Sequence, residues 1–222
     1  MASSHTSEQA SGQKSGQVGT SQSDASICCP LSDTARKIAD TFQSMVMQRG
    51  FNAVSYGDIA KELGIRTASI HYHFPTKAEL GATVLSRYRD TFKSAWADIN
   101  ADDPQSYIRA YESFMAPIRP VRDMDEVSCL LGVLGASHKT LCPNIQDILA
   151  DFFVEQEVWL AKVFEGGRTA DVFHFQGSAR SFAKLYTSAL QGAMLIKKST
   201  GEPEHFDAVI TQLEGMLYGG GE

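Results

Sequence analysis

The stretch GIRTASIHYHFPTK, Gly64–Lys77, decides how the rest of the chain is read. Gly64 follows an amphipathic run and suits the left-handed position that ends a helix and turns the chain. A short helix is expected from about Arg66 to His73. Pro75 stops it, because proline disfavours helix in the residue before it. Thr76 then caps a new helix, with Glu79 three residues on as a capping box. The His71-Tyr72-His73 triplet invites a metal reading, but residues two apart on a helix point about 200° apart and cannot chelate together. His71 is left on the open side, and His73 is expected to pack at the helix end.

Upstream, Ala35, Ile38, Ala39, Phe42, Met45 and Val46 fall on one helical stripe. Ser32 or Asp33 caps its start and Gly50 ends it. Ser55 is the N-cap expected for YGDIAKEL, whose Ile59, Ala60 and Leu63 are apolar. Three short helices in about 45 residues, the last two joined by one tight turn, describe a helix-turn-helix. Phe42, Val46, Phe51, Ile59, Leu63, Ile65, Ile70 and Phe74 make its small core. Arg66, Thr67, Ala68, Ser69, His71 and Tyr72 are then exposed, on a helix slim enough for a major groove about 12 Å wide.

The remainder reads as all-α. A long helix from Lys77 reaches about Asn100 on the stripe Leu80, Val84, Tyr88, Phe92, Trp96 and Ile99. Further helices are expected from Asp103-Pro104 to Pro117–Pro120, from about Asp125 to Thr140, and from Pro143 or Asn144 through Phe164, closed by Gly166-Gly167. RTADVFHF reads as a loop with β-like character, and helices follow at about 178–198 and 204–218. The Ser-, Gln- and Gly-rich residues 1–30 read as a disordered tail without the apolar core of a secretion signal. Residues 31–80 then form the helix-turn-helix domain and 81–222 a larger bundle, with the boundary inside the helix that starts at Lys77. The chain has 222 residues, of which 43% are hydrophobic, enough for a sizeable core. No run of 18 apolar residues exists, so no membrane span is expected. Four cysteines without zinc-finger spacing fit a reducing, cytoplasmic setting. The net charge of −6 is uneven: residues 31–100 carry 9 Lys and Arg against 7 Asp and Glu, whereas 101–222 carry 10 against 17. Contact with phosphate is therefore expected in the first third of the folded chain.

Residues 35–80 resemble the N-terminal domain of the tetracycline-repressor (TetR) family of bacterial transcription regulators. The resemblance rests on ARKIADTFQSMVMQRGFNAVSYGDIAKELGI and ASIHYHFPTKAEL, including the turn glycine and Tyr72-x-Phe74-x-x-Lys77. It implies that Ser55, Tyr72 and Lys77 meet phosphates of a double-stranded DNA operator, while Arg66, Thr67, Ala68 and His71 lie nearest base edges, beside Ser69. Thr67, Ala68 and His71 stand where many members carry Lys, Gly and Tyr. The last two helices look like the family's homodimer interface, which implies two recognition helices about 34–36 Å apart on a palindrome. The resemblance also implies an effector pocket within the bundle, where an unidentified small molecule binds and releases the protein from DNA. Trp96, Tyr111, Phe114, Cys129, Val133, His138 and Tyr186 are its candidate residues.

Two other readings have sequence support. Cys129, in the stretch DEVSCLLG, is either a buried core residue or the trigger of a redox- or electrophile-sensing repressor, activated by Lys197 or Lys198. A helical enzyme or scaffold with a vestigial helix-turn-helix is the alternative of another class. No carboxylate pair, nucleophile–base set or phosphate loop is visible, so neither catalysis nor a cofactor is expected.

Overall fold

A computed structural model of the chain describes residues 31–124 and 127–219. The expected tail 1–30, with Cys28 and Cys29, lies outside the described residues, as do Asp125 and Glu126. Among the described residues the fold is all helical. Nine α-helices form: α1 Asp33–Arg49, α2 Tyr56–Leu63, α3 Thr67–His73, α4 Lys77–Ala95, α5 Gln105–Met115, α6 Leu130–Ala136, α7 Pro143–Thr169, α8 Ala179–Thr200 and α9 Pro203–Tyr218. Short 3-10 turns at Arg119–Asp123 and His138–Thr140 link α5 to α6 and α6 to α7.

The first three helices begin and end where their residues require. Ser32 caps α1 by accepting from the Ala35 amide, and Gly50 ends it at φ +89°. Gly64 closes α2 in the left-handed region, φ +64°, which a side chain would strain. Ile38, Phe42 and Val46 of α1, Ile59 of α2 and Ile70 of α3 are all buried in one small core, with Leu63 and Ile65 packed at its edge. Tyr56 closes the unit from outside by donating its hydroxyl to the Phe74 carbonyl at 2.8 Å.

Several sequence expectations give way downstream. Helix α4 stops at Ala95, not Asn100, because the chain beyond is drawn to α5: the Ala97 amide donates to Ser113 and the Asn100 amide to Ser106. The helix expected over 125–140 shrinks to α6, since Cys129 is extended, φ −59° and ψ 134°, and helical turns resume only at Leu130. Helix α7 runs straight through Gly166-Gly167 to Thr169. These glycines serve close approach: a Cβ at Gly166 would come within 2.6 Å of Tyr107 Cζ, and one at Gly167 within 2.5 Å of Phe173 Cε2. RTADVFHF holds no strand; its first residues finish α7 and the rest is loop, tied down by the His174 amide donating to the Leu217 carbonyl at 2.8 Å.

Residues from Leu31 onward pack as one compact unit, so residues 31–80 are not set apart by a gap. Helix α1 packs on α6 as well as on α2, α3 and α4. The Lys198 ammonium of α8 donates to the Met47 and Gln48 carbonyls at 3.0 and 2.7 Å, at the end of α1 where helix carbonyls run out of amide partners. The Arg87 guanidinium of α4 grips Asp40 of α1 at 2.9 Å. Helix α1 is therefore held from both sides.

Candidate nucleic-acid interface and ligand cavity

Helix α3 buries one side and offers the other. Ile70 is fully buried, while Arg66, Thr67, Ala68, Ser69 and His71 are exposed and Tyr72 reaches 84% exposure. An aromatic side chain so bare is costly to leave in water, and with small residues beside it the surface admits a close neighbour. The two histidines engage different partners. His71 Nδ1 faces the Pro75 carbonyl at 3.3 Å and its ring packs edge-on to Tyr56 at 4.7 Å, while His73 packs against Tyr72 at 5.1 Å.

The flanks carry donors. Ser55 is engaged more fully than the sequence implies: its hydroxyl donates to Asp58 Oδ2 at 2.5 Å, and its oxygen accepts from the Asp58 amide. With the Asp58 carboxylate also accepting from the Ser55 amide, a complete capping box starts α2. Those hydrogen bonds hold the Asp58 carboxyl below its usual range. At Thr76 only half of the expected box forms, the Glu79 amide donating to the threonine oxygen at 3.1 Å. Lys77 lies at the start of α4 with its ammonium 4.6 Å over the Phe51 ring, and partial burial lowers its pKa. Burial, with Glu79 nearby, pushes the Tyr56 hydroxyl up to about 12, so it stays a donor to Phe74.

A cavity of about 260 Å³ lies among α1, α4, α5, α7 and α8. Phe114 and Cys129 are on its wall; the other five effector-pocket candidates stand elsewhere. Tyr111 and Tyr186 are fully buried in an aromatic core, where their hydroxyls meet at 2.7 Å and Tyr111 donates to Glu214 at 2.9 Å. Burial raises both tyrosines well above the ordinary phenol range. Trp96 stacks on Trp159 at 4.8 Å, Val133 faces an outer groove between α6 and α8, and His138 is exposed. Sequence reasoning missed the polar wall: Gln43 of α1, Arg87 and Thr91 of α4, Gln156 of α7, and Thr187 and Gln191 of α8. One of these was legible. Leu149, Phe152, Gln156, Leu160 and Val163 form the buried stripe of α7, and a glutamine there asks for a partner.

Cys129 is buried, with the Gln191 amide donating to Sγ at 3.3 Å and the Tyr88 hydroxyl 3.8 Å away. The two lysines expected to approach it both engage backbone carbonyls. Lys197 donates to the Val121 and Met124 carbonyls, and Lys198 holds the end of α1.

On α8, Leu185, Leu195 and Ile196 are 49%, 59% and 42% exposed, and Met216 of α9 is 39% exposed. Together with Ala189 and Gly192 they leave an apolar face that no described residue covers. No described helix is long and apolar enough to cross a membrane.

Comparison with known proteins follows the same lines. Residues 44–83 match the family described as bacterial regulatory proteins, tetR family. No curated protein matches the sequence. A TetR transcriptional regulator from Legionella pneumophila is 26% identical, with a TM-score of 0.70 over 84% of this chain and 98% of its own. A TetR-family regulator from Agrobacterium tumefaciens is 28% identical, with a TM-score of 0.71 over 82% of this chain and 97% of its own. The reduced form of NemR from E. coli shares the fold at 18% identity, with a TM-score of 0.65 over 83% of this chain and 97% of its own.

Proposed function

Because this chain belongs to the TetR family of DNA-binding transcriptional regulators, we propose that it is a homodimeric repressor released from a palindromic operator by a small molecule. The observation that carries the DNA half is the exposed side of α3, with Tyr72 bare and Ile70 fully buried behind it. Arg66, Thr67, Ala68 and His71 face base edges in this reading. Tyr72 and Lys77 meet phosphates on either side of the groove. The Ser55 hydroxyl already donates to Asp58, so at that flank the backbone amides opening α2 are the donors for phosphate.

The uncovered face of α8 and α9 is the dimer interface. Its apolar positions Leu185, Ala189, Gly192 and Ile196 recur every three or four residues, the spacing of a helix seam. The cavity is the effector site. Gln43 and Met47 bring α1 into its wall, so a ligand there touches the same helix that packs on α2 and α3. A ligand favouring one position of α1 shifts the population of dimers whose recognition helices match the operator, and needs only differential affinity for the two states.

A second trigger has one observation in its favour: Cys129 stands on the cavity wall with the Gln191 amide N–H directed at its sulfur, within reach of any molecule that enters the cavity. Gel-shift titration of the DNA upstream of the chain's own gene tests the main reading. Retarded, palindrome-dependent complexes are expected; a protein that binds this DNA no better than unrelated DNA sinks it. If electrophiles release parent protein but not Cys129→Ser, the thiol is the trigger; equal release of both removes that reading.

A further inference from the structure

We infer that the cavity takes an organic acid, with its carboxylate at Arg87 and a hydrogen-bonding group at Gln156. The inference rests on reading this cavity as the effector site, and names the class of molecule that fills it.

An unpartnered guanidinium nitrogen and a buried amide on the wall point to that class. Arg87 is the one charged side chain among the described residues lining the cavity. Its Nη2 pairs with Asp40, but Nη1 is buried without a hydrogen-bond partner. A guanidinium nitrogen shut off from water and left without an acceptor costs free energy that an oxyanion recovers with a charge-assisted bond. Gln156 is the second group. It is 7% exposed, lines the cavity, and its amide makes no hydrogen bond to another described residue. A buried amide wants both a donor and an acceptor, so a hydroxyl or carbonyl on the ligand suits it.

Between these polar points the wall is apolar, with Phe92, Phe114, Ile118, Leu190 and Met194. About 260 Å³ is the size of a small organic molecule. Scaled from the six carbons of benzene in a cavity of ~150 Å³, it suits roughly ten heavy atoms. A cationic ligand is disfavoured, since the wall offers it Arg87 and no carboxylate. The Arg87–Asp40 pair is partly exposed, 34% and 57%, and such pairs are weak, so an incoming carboxylate competes for the guanidinium on even terms. In doing so it loosens α4 from α1, whose far end stays held by Lys198. The ligand's charge and the position of the DNA-binding unit are then linked through one arginine.

Calorimetric titration without DNA tests this on the full chain. The probes are the alkanoates from hexanoate to dodecanoate, together with 4-phenylbutyrate, its amide, its amine analogue and 4-(4-hydroxyphenyl)butyrate. At least one acid is expected to bind, at least tenfold more tightly than the neutral amide, with the amine weaker still. Arg87→Gln should lose about 10- to 100-fold in acid affinity, the equivalent of one charge-assisted hydrogen bond. Asp40→Asn keeps the arginine and removes its competitor, so it should bind acids more tightly than the parent. Gln156→Leu should erase the advantage of the hydroxylated acid over 4-phenylbutyrate. If no acid binds, if amide or amine binds as tightly as the acid, or if Asp40→Asn weakens acid binding, the inference is wrong. DNA binding is read separately: failure of acid binding with intact operator binding leaves the repressor standing, and the converse removes the repressor but not the acid site.

Discussion

Gly167→Ala sets two physical effects against each other. In a solvent-facing helix the change stabilises by up to about 1 kcal/mol, because alanine loses less backbone entropy. Within α7 the new methyl would meet Phe173, with Cε2 at 2.5 Å and Cδ2 closer, where ordinary contact is beyond 3.4 Å. Phe173 has little room to yield. It is fully buried and ringed by Phe164, Tyr111 and Tyr218, at 6.1, 6.3 and 5.5 Å between ring centres. Overpacking of this kind costs about 1–3 kcal/mol, and a rigid aromatic neighbour puts the cost at the upper end. The net expectation is a loss of about 2 kcal/mol, or roughly 4–8 °C in melting temperature for a chain of this size. Gly135→Ala in α6, where a Cβ meets nothing within 4 Å, is the control and should gain stability. Differential scanning calorimetry reads both. A Gly167→Ala protein as stable as the parent would refute the close-approach argument and restore glycine as the helix terminator.

Three further outcomes follow from other parts of the molecule. Tyr111→Phe removes the hydroxyl shared by Tyr186 and Glu214; leaving Tyr186 without its partner should cost about 1–3 kcal/mol in chemical denaturation. Glu155 is held below its usual pKa of 4.5, chiefly by its hydrogen bond with Arg89 and further by Lys93, against the opposing effect of burial. A depressed carboxylate stabilises fully above 4.5 and loses that contribution as pH falls through its folded value, so Glu155→Gln should melt earlier than the parent above pH 4.5, with the gap closing below it. Leu195→Glu, on the uncovered side of α8, should shift the protein from dimer to monomer in light scattering while leaving its helical circular dichroism intact; an unchanged dimer would exclude that face as the interface.

The DNA-binding unit was legible because its information is local. A turn glycine at 64, a proline at 75, cap residues at 55 and 76 and one apolar stripe each act within a few positions. The bundle was legible as helices but not in its details, because what ends or extends a helix there comes from distant residues. Gly166-Gly167 looked like a terminator; Tyr107 and Phe173, neither of them a chain neighbour, make it a point of close packing. The lining of the cavity was hidden for the same reason. Tyr111 and Tyr186 are polar aromatics on apolar faces, which in sequence resemble a ligand site, but they satisfy one another and Glu214. Gln156 gave a readable signal, a glutamine inside a core stripe. Arg87 did not, because its partner Asp40 lies 47 residues away on another helix.

The central claim is that the exposed side of α3, with the start of α4, holds DNA. Fluorescence-anisotropy titration of the upstream DNA across a range of salt concentrations tests it most directly, comparing parent with Arg66→Ala/Lys77→Ala. The parent's log affinity should fall linearly with log salt. The double variant should bind more weakly, with a slope shallower by about one, because the phosphate that Lys77 neutralises keeps its counterion. Equal affinity and equal slope in the two proteins would contradict the account.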